Sequence, residues 1–248
     1  MTCRRFISVS QRRLFSPLDH LMFGSLTSPA SRTATGSRYT LWIDGVGAWQ
    51  VLTSPVVTLG RAQAPVSPLL TKMSLPMKDT SDEADVAIMS SLSRNHVQLE
   101  RVNESWVLTA HAATDVEGRP VDGQTVLSDD CEITVGGSVR VGFCVTTPLS
   151  ASARLSFLSE HRPAGAVDGV VLMAQTCLMG PGPENHVRCP QWPTSLVLVR
   201  GRSGLAVKSR KDIFVDGSLA TGLTPLSSGQ VVSGTDFRFR LEEINPDR

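Results

Sequence analysis

From Tyr39 onward, apolar residues recur at every second position, and this alternation is what most narrows the folds open to the chain. Runs such as "YTLWID", "WQVLTS", "VVTLGR", "ADVAIM", "HVQLERV", "SWVLTA" and "VRVGFCV" are rich in β-branched residues and end in Gly, Asp, Asn, Ser or Pro. Successive side chains of a strand point to opposite faces, so each run buries one face and wets the other. No stretch of a dozen residues carries an apolar stripe at helical spacing free of breakers. The second half continues in the same manner with "GVVLMA", "SLVLVRG", "LAVKS", "DIFVDG" and "FRFRLE". Many short strands at close spacing predict an all-β chain, folded as a sandwich or barrel.

The 248 residues exceed what one core usually organises, about 100–150, so two compact units are expected. The Pro- and Ser-containing stretch "TTPLSAS" at 146–152 divides them. The predicted organisation is a basic N-terminal tail over 1–38, a first β-domain over 39–147 and a second over 153–246. Residues 62–83 hold three Pro and several Ser and Thr, and read as one extended surface loop. Residues 1–38 contain six Arg and one Asp, +5, which leaves −4 for the rest of a chain whose net charge is +1. That Arg- and Ser-rich start reads as a flexible tail, or as the product of a start codon placed upstream of Met22, rather than a targeting segment. The mildly acidic remainder offers no broad basic surface for nucleic acid. No apolar run approaches the roughly 20 residues that cross a bilayer, so no membrane association is expected. Five Cys, with no C-x-x-C pair, predict reduced and mostly buried thiols and a cytoplasmic location. Cys177, His186 and Cys189 lack a fourth ligand at a usual zinc spacing, and no metal or cofactor is expected.

The chain also repeats itself. The interval from His96 to Gly118 and that from Ser195 to Gly217 are both 23 residues long, and they place Leu99 on Leu198, Leu108 on Val207, and "VEG" on "VDG". The register runs on to Leu127 on Leu226 and Ser128 on Ser227, while upstream "TLGR" meets "CLMGP". Hydrophobic phase and turn glycines kept together over nearly 40 positions predict two copies of one β-domain. The copies differ at one place. Where the first has Ser93, Arg94, Asn95 and His96, the second has Trp192, Pro193, Thr194 and Ser195. A polar cluster present in one copy alone is not a requirement of the fold.

The residues "LGR" at 59–61, "SRNH" at 93–96, "VEG" at 116–118 and "LSDDCEITVG" at 127–136, in that order, resemble the forkhead-associated (FHA) domain. The resemblance is clear over about residues 39–147 and degenerate over the second copy. It implies two tandem FHA-like β-sandwiches, the first binding phosphothreonine through loops at one end. It makes Arg61 and Ser93 phosphate contacts, sets Arg94 beside them as a second guanidinium, and has Asn95 and His96 support the loop. A phosphate monoester carries nearly two negative charges and three acceptor oxygens, which a guanidinium fork and a hydroxyl match well. The family usually carries "S-T-N-G" before the second turn glycine, where this chain has Ala110, His111, Ala112 and Ala113. His111 is then the residue left to assist the pocket.

No G-x-S-x-G, H-E-x-x-H, P-loop or G-x-G-x-x-G occurs, and nothing singles out a general acid and base. The expected function is a non-enzymatic signalling adaptor. Its partner would be a phosphothreonine-containing protein, a substrate of a Ser/Thr kinase. The second domain, without the cluster, would hold the first or dock a partner. The alternative is an assembly protein that uses its sandwiches for protein–protein contact without phosphate. Trp42, Trp49 and Trp106 are expected in cores, and Trp192, between prolines, as a cover over the second copy's empty site.

Overall fold

The computed structural model describes residues 36–62 and 84–244. The predicted tail up to residue 35 and most of the predicted long loop lie outside the described residues. The chain opens with a hairpin of β1 (Arg38–Ile43) and β2 (Gly47–Leu52). There follow β3 (Val56–Arg61), β4 (Val86–Ile88), β5 (Val97–Val102), β6 (Ser105–Ala110), β7 (Thr114–Val116), β8 (Arg119–Pro120), β9 (Gln124–Val126), β10 (Cys131–Val135) and β11 (Val139–Cys144). A second hairpin, β12 (Ala153–Phe157) and β13 (Gly169–Leu172), leads into β14 (Thr176–Gly180), β15 (Val187–Arg188), β16 (Leu196–Gly201) and β17 (Gly204–Ser209). The last strands are β18 (Ile213–Val215), β19 (Ser218–Ala220), β20 (Leu223–Pro225), β21 (Val231–Gly234) and β22 (Phe237–Ile244). The described residues contain no helix, as the alternation requires.

Turn chemistry accounts for the tight connections. Glu117–Gly118 and Asp216–Gly217 both have positive φ at each residue (53° and 68°, 48° and 80°), the backbone of a two-residue hairpin turn whose twist suits the flanking strands. Strands recur at a spacing of 99 residues: β5 starts at 97 and β16 at 196, β6 at 105 and β17 at 204, β7 at 114 and β18 at 213.

The sheets join the halves more closely than a linear reading suggests. One twelve-stranded sheet has the order β19-β18-β21-β22-β1-β2-β13-β12-β11-β10-β7-β8, and two five-stranded sheets have the orders β4-β3-β5-β6-β9 and β15-β14-β16-β17-β20. The first hairpin pairs with the last strand, Leu41 opposite Leu241, while β11 pairs with the strand that follows it, Phe143 opposite Leu155. Hydrogen bonding therefore runs straight across the Pro- and Ser-containing divide at 146–152. Each half is completed by the other half's opening hairpin.

Two cores lie on opposite faces of the long sheet. The first gathers Leu59, Val86, Leu99, Trp106, Leu108, Ile133, Phe143, Leu155 and Leu172 against the β4-β3-β5-β6-β9 sheet. The second gathers Leu41, Val171, Met179, Leu198, Val207, Phe239 and Leu241 against the other five-stranded sheet. At the junction β2 and β13 run parallel, Val51 opposite Val171 and Leu52 opposite Leu172. Alternation there feeds both cores, Leu52 and Leu172 to the first and Val51 and Val171 to the second. All four residues of β13 are buried, as a parallel strand covered on both faces demands.

The tryptophans show where alternation overrides side-chain type. Trp106 is buried, edge-on to Phe143 at 6.4 Å, with its indole N–H donating to the Ala151 carbonyl at 2.8 Å. Trp42, expected in a core, is 45% exposed, because Leu41 and Ile43 take the inward positions of β1; its N–H donates to Glu242 at 2.6 Å. Trp49 is half-buried and lies over Gly169, where an added Cβ would stand 2.5 Å from its ring. Trp192, expected as a loop cover, is buried in the second core against Phe237 and Phe239, with ring centroids 4.9 and 6.3 Å away.

Candidate functional site

Leu92 and His96, in the β4–β5 connection, are both buried in the first sandwich, and Ser93, Arg94 and Asn95 stand out between them, exposed. His96 is held at both ring nitrogens. The Ser93 N–H donates to Nδ1 at 3.2 Å, and Nε2 lies 2.9 Å from the Ala113 carbonyl. The ring thus bridges the Ser93 amide and the Ala113 carbonyl. The partner is a main-chain oxygen. The alanines that stand where the resembled family has Asn and Gly therefore leave this tether intact.

Arg61 closes β3 and is exposed, and its N–H donates to the Ser93 carbonyl at 2.9 Å. Gly60 makes that approach possible, since a Cβ there would stand 1.7 Å from the Arg94 carbonyl oxygen. The backbone of Arg61 and the Ser93–Arg94 loop are thus brought together at one end of the β4-β3-β5-β6-β9 sheet. His111 follows β6 and is exposed, and its N–H donates to the His96 carbonyl at 3.0 Å. Backbone contacts link Arg61, Ser93, His96 and His111 in one corner. Arg94 and Asn95 share the exposed loop.

Sequence reasoning missed Asp85, which precedes β4. Its carboxylate accepts from the Thr58 N–H at 2.8 Å and the Thr58 hydroxyl at 2.9 Å, and it pairs with Arg38 of β1 at 2.6 Å. The carboxylate fastens the short β4, and with it the start of the site loop, to β3 and to the long sheet. Nothing in "TSDEADVA" separates this carboxylate from its neighbours, because its partners are 27 and 47 residues away.

The four cysteines among the described residues are unpaired. Burial pushes the Cys131 thiol up to about 11 and the Cys189 thiol up to about 12, and holds Cys177 higher still. Such thiols stay protonated, poor nucleophiles and poor metal ligands. No grouping of three metal-binding side chains occurs among the described residues.

No protein-family model matches the chain, and no curated protein matches it either. Among solved structures, an Rv0020c FHA structure is 19% identical over 42% of this chain and 90% of its own, with a TM-score of 0.23. The N-terminal FHA domain from EssC, a component of the bacterial Type VII secretion apparatus, is 13% identical over 85% of this chain and 93% of its own, also with a TM-score of 0.23. Superpositions of that quality carry no information on ligand chemistry.

Proposed function

We propose that this protein is a non-enzymatic interaction module that reads a phosphothreonine-bearing segment of a partner protein, with Arg61, Ser93 and Arg94 as the phosphate contacts. Asn95, His96 and His111 support that corner. The observation that carries the reading is the approach of Gly60 to the Arg94 carbonyl, together with the Arg61 N–H bond to the Ser93 carbonyl. A guanidinium-bearing residue, a hydroxyl-bearing residue and a second arginine are held on one exposed corner by main-chain contacts, so binding has their side chains to order but not the backbone that carries them. The bonds that hold His96 use the main chain of Ser93 and Ala113, leaving the Ser93 hydroxyl available to a ligand. The two halves read as copies of one domain, divided in sequence at 146–152. Unpaired, buried thiols fit work in a reducing compartment, the cytoplasm.

Titrating a phosphothreonine peptide library against the protein and its Arg61→Ala variant, with unphosphorylated controls, tests the reading. Phosphate-dependent binding that weakens about 10- to 100-fold in the variant is expected, the scale of a hydrogen bond to a charged group. Equal binding throughout, or none, would overturn it and leave the sandwiches as an assembly scaffold.

A further inference from the structure

A cleft of about 610 Å³ opens on the second sandwich, at the end of the β15-β14-β16-β17-β20 sheet that matches the Arg61 corner of the first. Its floor is a cross-strand row on the outer face of that sheet, Leu178 opposite Val197 and Val197 opposite Lys208. Arg210 follows the last residue of β17 and lines the cleft together with Lys208. Thr194 and Ser195 enter from the start of β16, and Ser209 completes the lining. Lys208 and Arg210 are exposed, the three hydroxyl residues are half-buried, and among the described residues no carboxylate lines the cleft.

Two details show that the cleft is built rather than incidental. Gly180 closes β14 on the same face as Leu178, and a Cβ there would stand 2.3 Å from the Ser195 Oγ. The absent side chain thus makes room for a recessed hydroxyl. The Ser209 Oγ accepts from the Lys211 N–H at 3.1 Å, which ties down the turn carrying Arg210 and leaves its own O–H to donate elsewhere. The matching row of the first half is wholly different: Thr58, Gln98, Thr109 and Gln124 lie side by side, uncharged, with the Gln124 amide donating to the Thr109 hydroxyl at 3.1 Å. The cationic cleft is therefore particular to the second half and uses none of the residues of the first site.

We propose that the second sandwich has its own oxyanion site, in which Lys208, Arg210 and the hydroxyls of Thr194, Ser195 and Ser209 take a phosphate monoester. Two cations balance its charge and three hydroxyls meet its oxygens, while Leu178 and Val197 receive the carbon chain that bears it. The protein then offers two phosphate sites of different composition and so different selectivity.

Amide chemical-shift titrations of the full chain test this, with inorganic phosphate and with a phosphothreonine peptide as probes. They are run on the unmodified protein, on Arg61→Ala, and on the double variant Lys208→Ala/Arg210→Ala, whose altered residues are exposed. Saturable shifts at 194–195 and 208–210 are expected in the unmodified protein and in Arg61→Ala, and should weaken about tenfold or more in the double variant. A preference for the peptide over inorganic phosphate assigns the ester to a protein partner; equal affinity assigns it to a small phosphorylated molecule. Absence of saturable shifts at those amides, or shifts undiminished in the double variant, would overturn the proposal. Loss of the Arg61-dependent response alone would instead remove the first site and leave this one standing.

Discussion

At the scale of single residues, the first site depends on where a side chain is missing as much as on where one is present. Gly60 is the clearest case, because the Arg94 carbonyl occupies the space of its Cβ. Gly60→Ala should force the 93–94 loop off β3, destabilising the protein by about 1–3 kcal/mol, the usual cost of overpacking. It should abolish phosphopeptide binding even where the protein stays folded. Chemical denaturation and peptide titration of the same variant separate the two effects, and undiminished peptide binding would refute the coupling between β3 and the loop. His186, before β15, is a second residue whose environment decides its chemistry. It is fully buried, with Nδ1 accepting from the Leu178 N–H at 3.0 Å, and burial holds its pKa down at about 4 against an ordinary 6.5. Because the folded state disfavours the charged ring, the unfolded chain protonates first. The contribution of neutral His186 is complete above about pH 6.5, is lost as pH falls from there to about 4, and changes no further below that. The difference amounts to about 3 kcal/mol. Urea midpoints measured across that window should fall less steeply for His186→Gln than for the unmodified protein; parallel slopes would refute the assignment.

At the scale of elements, the hairpins carry the main lesson. "YTLWID" and "WQVLTS" are legible as strands, and "EG" and "DG" as tight turns, because those signals are local. Which strand β1 lies beside is not local: Leu41 meets Leu241, two hundred residues on, rather than the edge strand of its own half. The consequence can be tested by cutting the chain. Leu149 is 94% exposed in the connection between β11 and β12, so a protease site inserted there should cleave readily. The two fragments should remain together under native conditions and separate only in denaturant, since β1–β2 stays hydrogen-bonded to β22 and β12 to β11. Fragments that part on a sizing column without denaturant would contradict the pairing. The site loop is likewise partly legible. "SRNH" marks its polar residues, but the tether of His96 to the Ala113 carbonyl leaves no trace in side-chain identity, since any residue supplies that oxygen.

At the scale of the whole molecule, the described residues form one compact unit, and the β2–β13 pair gives its two cores a common wall. Val51 and Val171 serve one core while Leu52 and Leu172 serve the other, so neither sandwich can open without exposing strands the other needs. The sequence by itself determined the all-β class, the turns, most strands and the polar corner at 93–96, because each rests on contacts within a few residues or on the two-residue period of an extended chain. Only the tertiary structure decided which hairpin completes which sheet, that Trp42 faces outward while Trp192 is buried, and that Lys208 and Arg210 share a cleft with Thr194 and Ser195. Those outcomes depend on the pairing of strands far apart in the chain. Alternation marks one face of each strand for burial, but it does not say which distant surface will cover it.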